Sequence, residues 1–142
     1  MVIKIEIIFV NASQNKSGNT SRMGEKYLQG KTYKQLNLVD YKIYQLNQNY
    51  SDDQFEQAFS QLNKADWIVL GTPVYWHDMS AYLKTLLERL SQDSHFDDLS
   101  GKRISVLIQG SDPSDTIKSV TNIIKRFANS ARMEFVDAME DF

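Results

Sequence analysis

Apolar residues along this chain follow two periodicities, and the switch between them repeats from end to end. The clearest switch lies between Ala65 and Leu90, ADWIVLGTPVYWHDMSAYLKTLLERL. Trp67-Ile68-Val69-Leu70-Gly71 is a continuous apolar run of strand length, rich enough in β-branched residues to be buried on both faces. Met79, Tyr82, Leu83, Leu86, Leu87 and Leu90 recur every three or four positions, which puts them on one stripe of a helix. Between run and stripe, residues 72–78 read as a turn that holds two adjacent aromatics, Tyr75 and Trp76.

The same reading predicts the other elements. Residues 2–10 (VIKIEIIFV) form a first strand, and a polar loop leads to a helix that starts near Thr20 and stops at Gly30. A second strand covers 34–40, and the aperiodic stretch 41–50 is a loop. Ser51-Asp52-Asp53 caps a helix through Leu62, with Phe55, Ala58, Phe59 and Leu62 inward. After a loop at 91–101 come a fourth strand at 103–109 and a turn at 110–114. A helix at 115–130 follows, with Ile117, Val120, Ile123, Ile124 and Phe127 inward. A short fifth strand covers 133–136, and Asp137, Glu140 and Asp141 form a solvated tail. Alternating strands and helices imply an α/β domain with a doubly wound parallel sheet. Five strands fit the flavodoxin-like order 2-1-3-4-5, whose ligand crevice lies between strands one and three. The loops after those strands, 13–21 and 72–78, therefore share one crevice.

Composition narrows the function classes. A chain of 142 residues is read as one domain, residues 1–142. Its formal net charge of −2 argues against a nucleic-acid partner. No apolar run approaches the roughly 20 residues that span a bilayer. The N-terminus alternates like a strand and does not resemble a signal peptide. With no cysteine there is no disulfide framework, thiol nucleophile or zinc–thiolate site. The expectation is a cytoplasmic soluble protein with neither nucleic-acid nor membrane partners.

The first loop suits a phosphate. Ser13, Ser17, Thr20 and Ser21 offer hydroxyls, Asn19 an amide, and Gly18 a close backbone approach. The helix that follows points its free N–H groups at the same spot. Lys16 and Arg22 either add charge or point to water, and a plain strand-to-helix loop with a Ser or Thr cap accounts for the same residues. There is no G-x-x-x-x-G-K-[ST] pattern, and one glycine is too few for a dinucleotide fingerprint. Strand three ends in Gly71-Thr72, without the aspartate a phospho-receiver needs, and a low-molecular-weight phosphatase needs a cysteine. His77 either donates to a ligand oxygen or is solvated. His95 with Asp97 and Asp98 makes a poor metal site, so no metal is expected.

S-x-x-x-x-G-N-T-S after strand one and G-T-P-V-Y-W-x-x-M-S-A-x-L-K-x-L-L-E-R-L after strand three resemble the flavodoxin-like FMN-dependent NAD(P)H reductases, a group that includes FMN, quinone and azo reductases. The resemblance covers about residues 2–131. It implies that Ser13, Ser17, Asn19, Thr20 and Ser21 hold the FMN phosphate, and that Pro73, Val74, Tyr75 and Trp76 line the isoalloxazine. Gly110, Ser111 and Asp112 would flank the ring from the other side. It further implies electron flow from NADH or NADPH through FMN to a small-molecule acceptor such as a flavin or quinone. The flavin carries the redox chemistry, so no catalytic side chain is expected. An aromatic wall suits its flat ring, with one of Tyr75 and Trp76 packing instead against the neighbouring helix.

Two departures from that group matter. The 41–50 stretch is short and cysteine-free, and the chain ends at Phe142 with no room for the group's final helix. One face of WIVLG and ISVLI would then be wet, at a cost of several kcal/mol at about 25 cal/mol per Å². A homodimer partner, or the tail folding back, is expected to cover it. The alternatives are a flavodoxin-type electron carrier and a degenerate domain of this fold that binds no flavin.

Overall fold

The computed structural model describes residues 4–111 and 114–141. Strands β1 (Ile7–Asn11), β2 (Lys34–Asn37), β3 (Trp67–Tyr75), β5 (Arg103–Gln109) and β6 (Glu134–Asp141) lie parallel in the order β2-β1-β3-β5-β6. This is the expected 2-1-3-4-5 order with one addition: a two-residue strand, β4 (Asp78–Met79), which pairs antiparallel with the end of β3.

Helices α2 (Phe55–Asn63), α3 (Ala81–Ser91) and α4 (Ser114–Ala131) cover one face of the sheet. Leu62, Leu83, Leu86, Val120 and Ile124 pack there on Ile8, Val10, Ile68, Leu70, Ile104, Val106 and Ile108. The other face belongs to α1 (Asn19–Tyr27), whose Met23 joins Leu28 in packing on Ile7, Phe9, Val69 and Leu107.

That second face corrects the expectation of a wet sheet. Val69 and Leu107 are fully buried, because α1 lies across β3 and β5 as well as β1. The buried Ser105 also breaks the apolar run of β5: its Oγ accepts from Trp67 Nε1–H at 2.9 Å. The Tyr27 hydroxyl lies between Ser105 Oγ (3.2 Å) and Asp137 Oδ2 (3.3 Å), and burial raises the Tyr27 pKa.

Other boundaries move for local reasons. β3 continues through Tyr75, so residues 72–75 are strand and only Trp76 and His77 form the turn. Met79 therefore precedes α3, whose N-cap is Ser80, its Oγ accepting from Leu83 N at 3.3 Å. The second strand stops at Asn37, and Leu38–Asp40 tightens into a 3-10 turn. The supposed acidic tail is mostly strand: β6 runs to Asp141, with a register shift opposite Ile104 and Ser105.

The position of α1 depends on two glycines. A Cβ on Gly24 of α1, or on Gly71 of β3, would come within 2.5 Å of the Phe9 ring. Phe9 is itself fully buried and cannot swing into solvent. We predict that Gly71→Ala lowers unfolding free energy by about 1–3 kcal/mol through overpacking, and that Phe9→Leu in the same chain restores part of the loss. Urea denaturation of the three variants measures this, and a neutral Gly71→Ala would contradict the packing.

The 41–50 loop is fastened from α3. Arg89 donates to both carboxylate oxygens of Asp53 (2.8 and 2.9 Å) and to the Tyr44 carbonyl (2.8 Å). Asp53 also accepts from the N–H groups of Tyr44 and Phe55, so it serves the start of α2 as well as the loop. The Arg89 guanidinium lowers the Asp53 pKa from its ordinary 3.8 to about 2. A lowered carboxyl pKa contributes stability above 3.8 that is lost as the pH falls through about 2. Asp53→Asn should therefore cost about 1–2 kcal/mol near neutral pH, a figure reduced for partial solvent screening. The gap from the parent should close between about pH 4 and pH 2 in chemical denaturation. A pH-independent gap would mean that the ion pair is not its source.

Candidate functional site

The carboxyl ends of β1, β3 and β5 bring together the loops that the sequence singles out. Asn11 pairs in register with Gly71, Ala12 N donates to Gly71 O (2.8 Å), and Gln14 N donates to the Tyr75 hydroxyl (3.2 Å). Residues 13–21 and 72–78 thus meet at one end of the sheet. The third loop joins them at Gly110, where a Cβ would come 3.1 Å from Val74 Cβ. Ser111 follows at the surface, and Asp112 lies outside the described residues.

Asn11 organises the first loop, and its role was not foreseen from sequence. It is fully buried at the end of β1. Its Oδ1 accepts from Ser13 N (3.1 Å), and its Nδ2 donates to Asn15 O and Asn37 Oδ1, each at 3.0 Å. The one available signal is an asparagine closing an apolar strand. Ser13 is buried, and its Oγ accepts from Asn15 N (3.0 Å). Thr20 is buried as well, with its methyl carbon 3.1 Å from where a Gly71 Cβ would stand.

Helix α1 starts after Gly18 with no side-chain cap and no acidic residue in its first turn. The positive end of its dipole is therefore not offset locally, which is the arrangement that suits an anion. Ser17 and Asn19 are exposed at this end, while Ser21 Oγ donates to Gly18 O (2.9 Å). Each nearby cation has a partner. Lys16 pairs with Asp40 at 2.5 Å, and the Arg22 guanidinium donates to Asn19 Oδ1.

The second loop is a hairpin and not an open turn. Thr72 Oγ1 accepts from Ser80 N (3.0 Å), pinning the entry to α3, and Pro73 is buried in the strand. Val74 and Tyr75 are half-buried, and Trp76 is 92% exposed. Tyr75 borders the same cavity as Ala81, Tyr82 and Thr85 of α3, the neighbouring helix, whereas Trp76 stands away from it. Trp76 meets the His77 ring edge-on, with centroids 5.8 Å apart. His77 is not simply solvated: its Nδ1 lies 2.6 Å from Asp115 Oδ2, in the first turn of α4. The imidazole beside it lowers the Asp115 pKa. Asp115 is a second residue that sequence reading missed, being one acid among many at a helix start.

A cavity of about 490 Å³ opens beside Tyr75. Tyr41, Tyr44 and Tyr82 line it with Tyr75, over Leu38 and Ile43. Tyr82 therefore borders a cavity, although its spacing assigns it to the buried stripe of α3. Among the described residues no three His, Asp or Glu side chains gather as a metal site, and no helix is long and apolar enough to cross a membrane.

The donor set fits a phosphate with a flat ring attached: hydroxyls and an uncapped helix end on one side, a proline–valine–aromatic wall on the other. Comparisons with known proteins agree with that chemistry. A Bacillus subtilis (strain 168) protein named as an NAD(P)H-dependent FMN-containing oxidoreductase, YwqN, is 26% identical over 123 residues, 76% of this chain and 68% of that protein. The solved Trp repressor binding protein from Bacillus subtilis superposes with a TM-score of 0.77 at 23% identity, covering 96% of this chain and 87% of that one. An FMN-dependent NADH-azoreductase from Bacillus anthracis, solved in complex with FMN, gives 0.68 at 14% identity, covering 95% and 85%. At such identities the two structures establish the shared fold alone. The model of the NADPH-dependent FMN reductase family matches residues 5–139, and the chain belongs to that family, as an oxidoreductase with FMN as cofactor and NAD(P)H as electron donor.

Proposed function

We propose that the FMN phosphate is held by Ser13, Ser17, Asn19, Thr20, Ser21 and the N-terminus of α1, and that the isoalloxazine lies along Pro73–Trp76, flanked by Gly110–Ser111. The observation that carries this reading is the register of Asn11 on Gly71, with the Gln14–Tyr75 contact, because it joins donor loop and aromatic wall at one crevice. FMN bound there supplies the two-electron step between nicotinamide and acceptor. The chain's own residues bind and orient. Asn11 fixes the donor loop from below, Thr72 fixes the hairpin to α3, and the half-buried Val74 and Tyr75 give the ring a wall partly shielded from water.

The acceptor in this reading is a small flat molecule of the flavin or quinone kind. The tyrosine-lined cavity beside Tyr75 has the volume and aromatic lining that such a molecule needs. A cytoplasmic homodimer without nucleic-acid partners completes the proposal. The pairing now has a narrower basis than a bare sheet face: Val136 and Met139 on the edge strand β6 are each 44% exposed. A concentration-independent monomer in sedimentation velocity would remove the dimer from the proposal and leave the cofactor site standing.

FMN titration followed by flavin fluorescence tests the site. Ser13→Ala with Thr20→Val, which keeps the methyl on Gly71, should weaken FMN at least about tenfold, since a hydrogen bond to a charged group contributes roughly 1.5–3 kcal/mol. Riboflavin, lacking the phosphate, should lose little. Equal losses for both ligands would sink the phosphate assignment. FMN binding without oxidation of added NADH or NADPH in the presence of a quinone would return the electron-carrier reading.

A further inference from the structure

The tip of the β3–β4 hairpin is built against ordinary turn chemistry. Tyr75 and Asp78 pair across a two-residue turn whose members, Trp76 and His77, have φ of 48° and 62°. A tight turn with both residues left-handed favours Asn-Gly, because larger side chains are strained there. Neither residue is chosen for the turn. Backbone strain of this kind is kept where a specific contact over-determines it.

That contact leads to the opposite wall. His77 Nδ1 lies 2.6 Å from Asp115 Oδ2, and Asp115 Oδ1 also lies 3.2 Å from Thr116 Oγ1. Thr116 and Val120 are buried, so the first turn of α4 is a fixed post. The hairpin is therefore approached at two points: at its base by Gly110, which lies close to Val74, and at its tip by Asp115, which meets His77. Between the two contacts stands the wall that carries Trp76.

We propose that the His77–Asp115 pair is a strut that holds the Trp76 hairpin against the N-terminus of α4 and so fixes one wall of the slot that receives the flavin ring. Both are positioning residues. The proposal rests on the FMN placement above but has a readout independent of it. Both side chains are more than half exposed, so the pair adds little to global stability, and its loss should appear as local disorder.

Trp67 and Trp76 are the chain's two tryptophans, so Trp67→Phe leaves Trp76 as the sole reporter. In that background, without flavin, Asp115→Asn keeps the strained turn and weakens the strut, while His77→Gly relaxes the turn and removes it. Both should increase Trp76 mobility in time-resolved anisotropy, with the urea midpoint unchanged for Asp115→Asn and not lowered for His77→Gly, whose turn is relieved of strain, and Asp115→Glu should restore most of the order. FMN affinity should fall about threefold to tenfold in each single variant, and the double variant should be no worse than the weaker single one, as for one shared interaction. Unchanged Trp76 mobility overturns the strut. Raised mobility with unchanged FMN affinity, or losses that add, overturns its role in shaping the slot. A parent chain that binds no FMN sinks the cofactor placement instead, and Trp76 mobility in the flavin-free chain then decides the strut alone.

Discussion

Helix α1 can cross the sheet where it does because two side chains are missing and one large ring fills the space between them. Phe9 rises from β1 into the gap left by Gly24 on the helix and Gly71 on β3. That close approach carries Thr20, in the first turn, onto the carboxyl end of β3. A bulkier residue at either glycine would lift the helix, and its uncapped N-terminus would no longer face the loop after β1. The same approach spreads α1 over β3 and β5, burying Val69 and Leu107 on a sheet face that has one helix. Packing and the proposed phosphate site therefore depend on a single fit.

Buried or half-buried polar side chains then fix each loop from its base. Asn11 serves the donor loop, Thr72 the entry to α3, and Asp53 with Arg89 the 41–50 segment. Each satisfies main-chain groups that would otherwise be stranded away from water, and leaving such groups unpaired costs about 1–3 kcal/mol apiece. Polar groups beneath and exposed groups above give loops that are rigid at the root and open at the tip. This is the division a cofactor site needs, since orientation comes from the scaffold and access from the surface.

Much of this was legible in the sequence, and what was not has identifiable physical causes. The strand order follows from apolar runs alternating with three-and-four spacing, and WIVLG and RISVLIQ lie where that rule puts them. The first strand is shorter than its apolar run: it covers Ile7–Asn11, the exposed Lys4, Ile5 and Glu6 stand outside it, and residues 2–3 lie outside the described residues. Boundaries failed where composition and conformation part. Pro73 and Tyr75 do not look like strand, yet β3 runs through them because β4 folds back to pair with its end. Trp-His does not look like a tight turn, so the hairpin was invisible. The acidic residues of β6 look like a tail, yet their backbone completes the sheet edge. The proposed donor and ring-wall residues stand out by their type, and the structure brings their loops to one end of the sheet, whereas Asn11 and Asp115 act through partners distant in sequence, Asn37 and His77, which no local pattern displays. Coverage of the second sheet face was misjudged for a similar reason. The reach of α1 depends on Phe9 meeting two glycines, a contact between three separate segments.

The hairpin tip is the place where local rules are broken most openly, and the form of the breakage is informative. An indole 92% exposed on a left-handed backbone satisfies neither burial nor turn preference. Stability alone would favour a small flexible residue there, as at Gly30 and Gly101, whose positive φ values carry no strain. Large aromatic side chains gain free energy in proportion to the area they remove from water, about 25 cal/mol per Å². Trp76 gains little of that energy within its own chain, where the His77 ring meets it edge-on, and the proposed flavin ring is the partner against which it would gain the rest. The strained backbone at the tip is held by the His77–Asp115 contact, and the exposed ring is what that backbone presents on the proposed flavin wall.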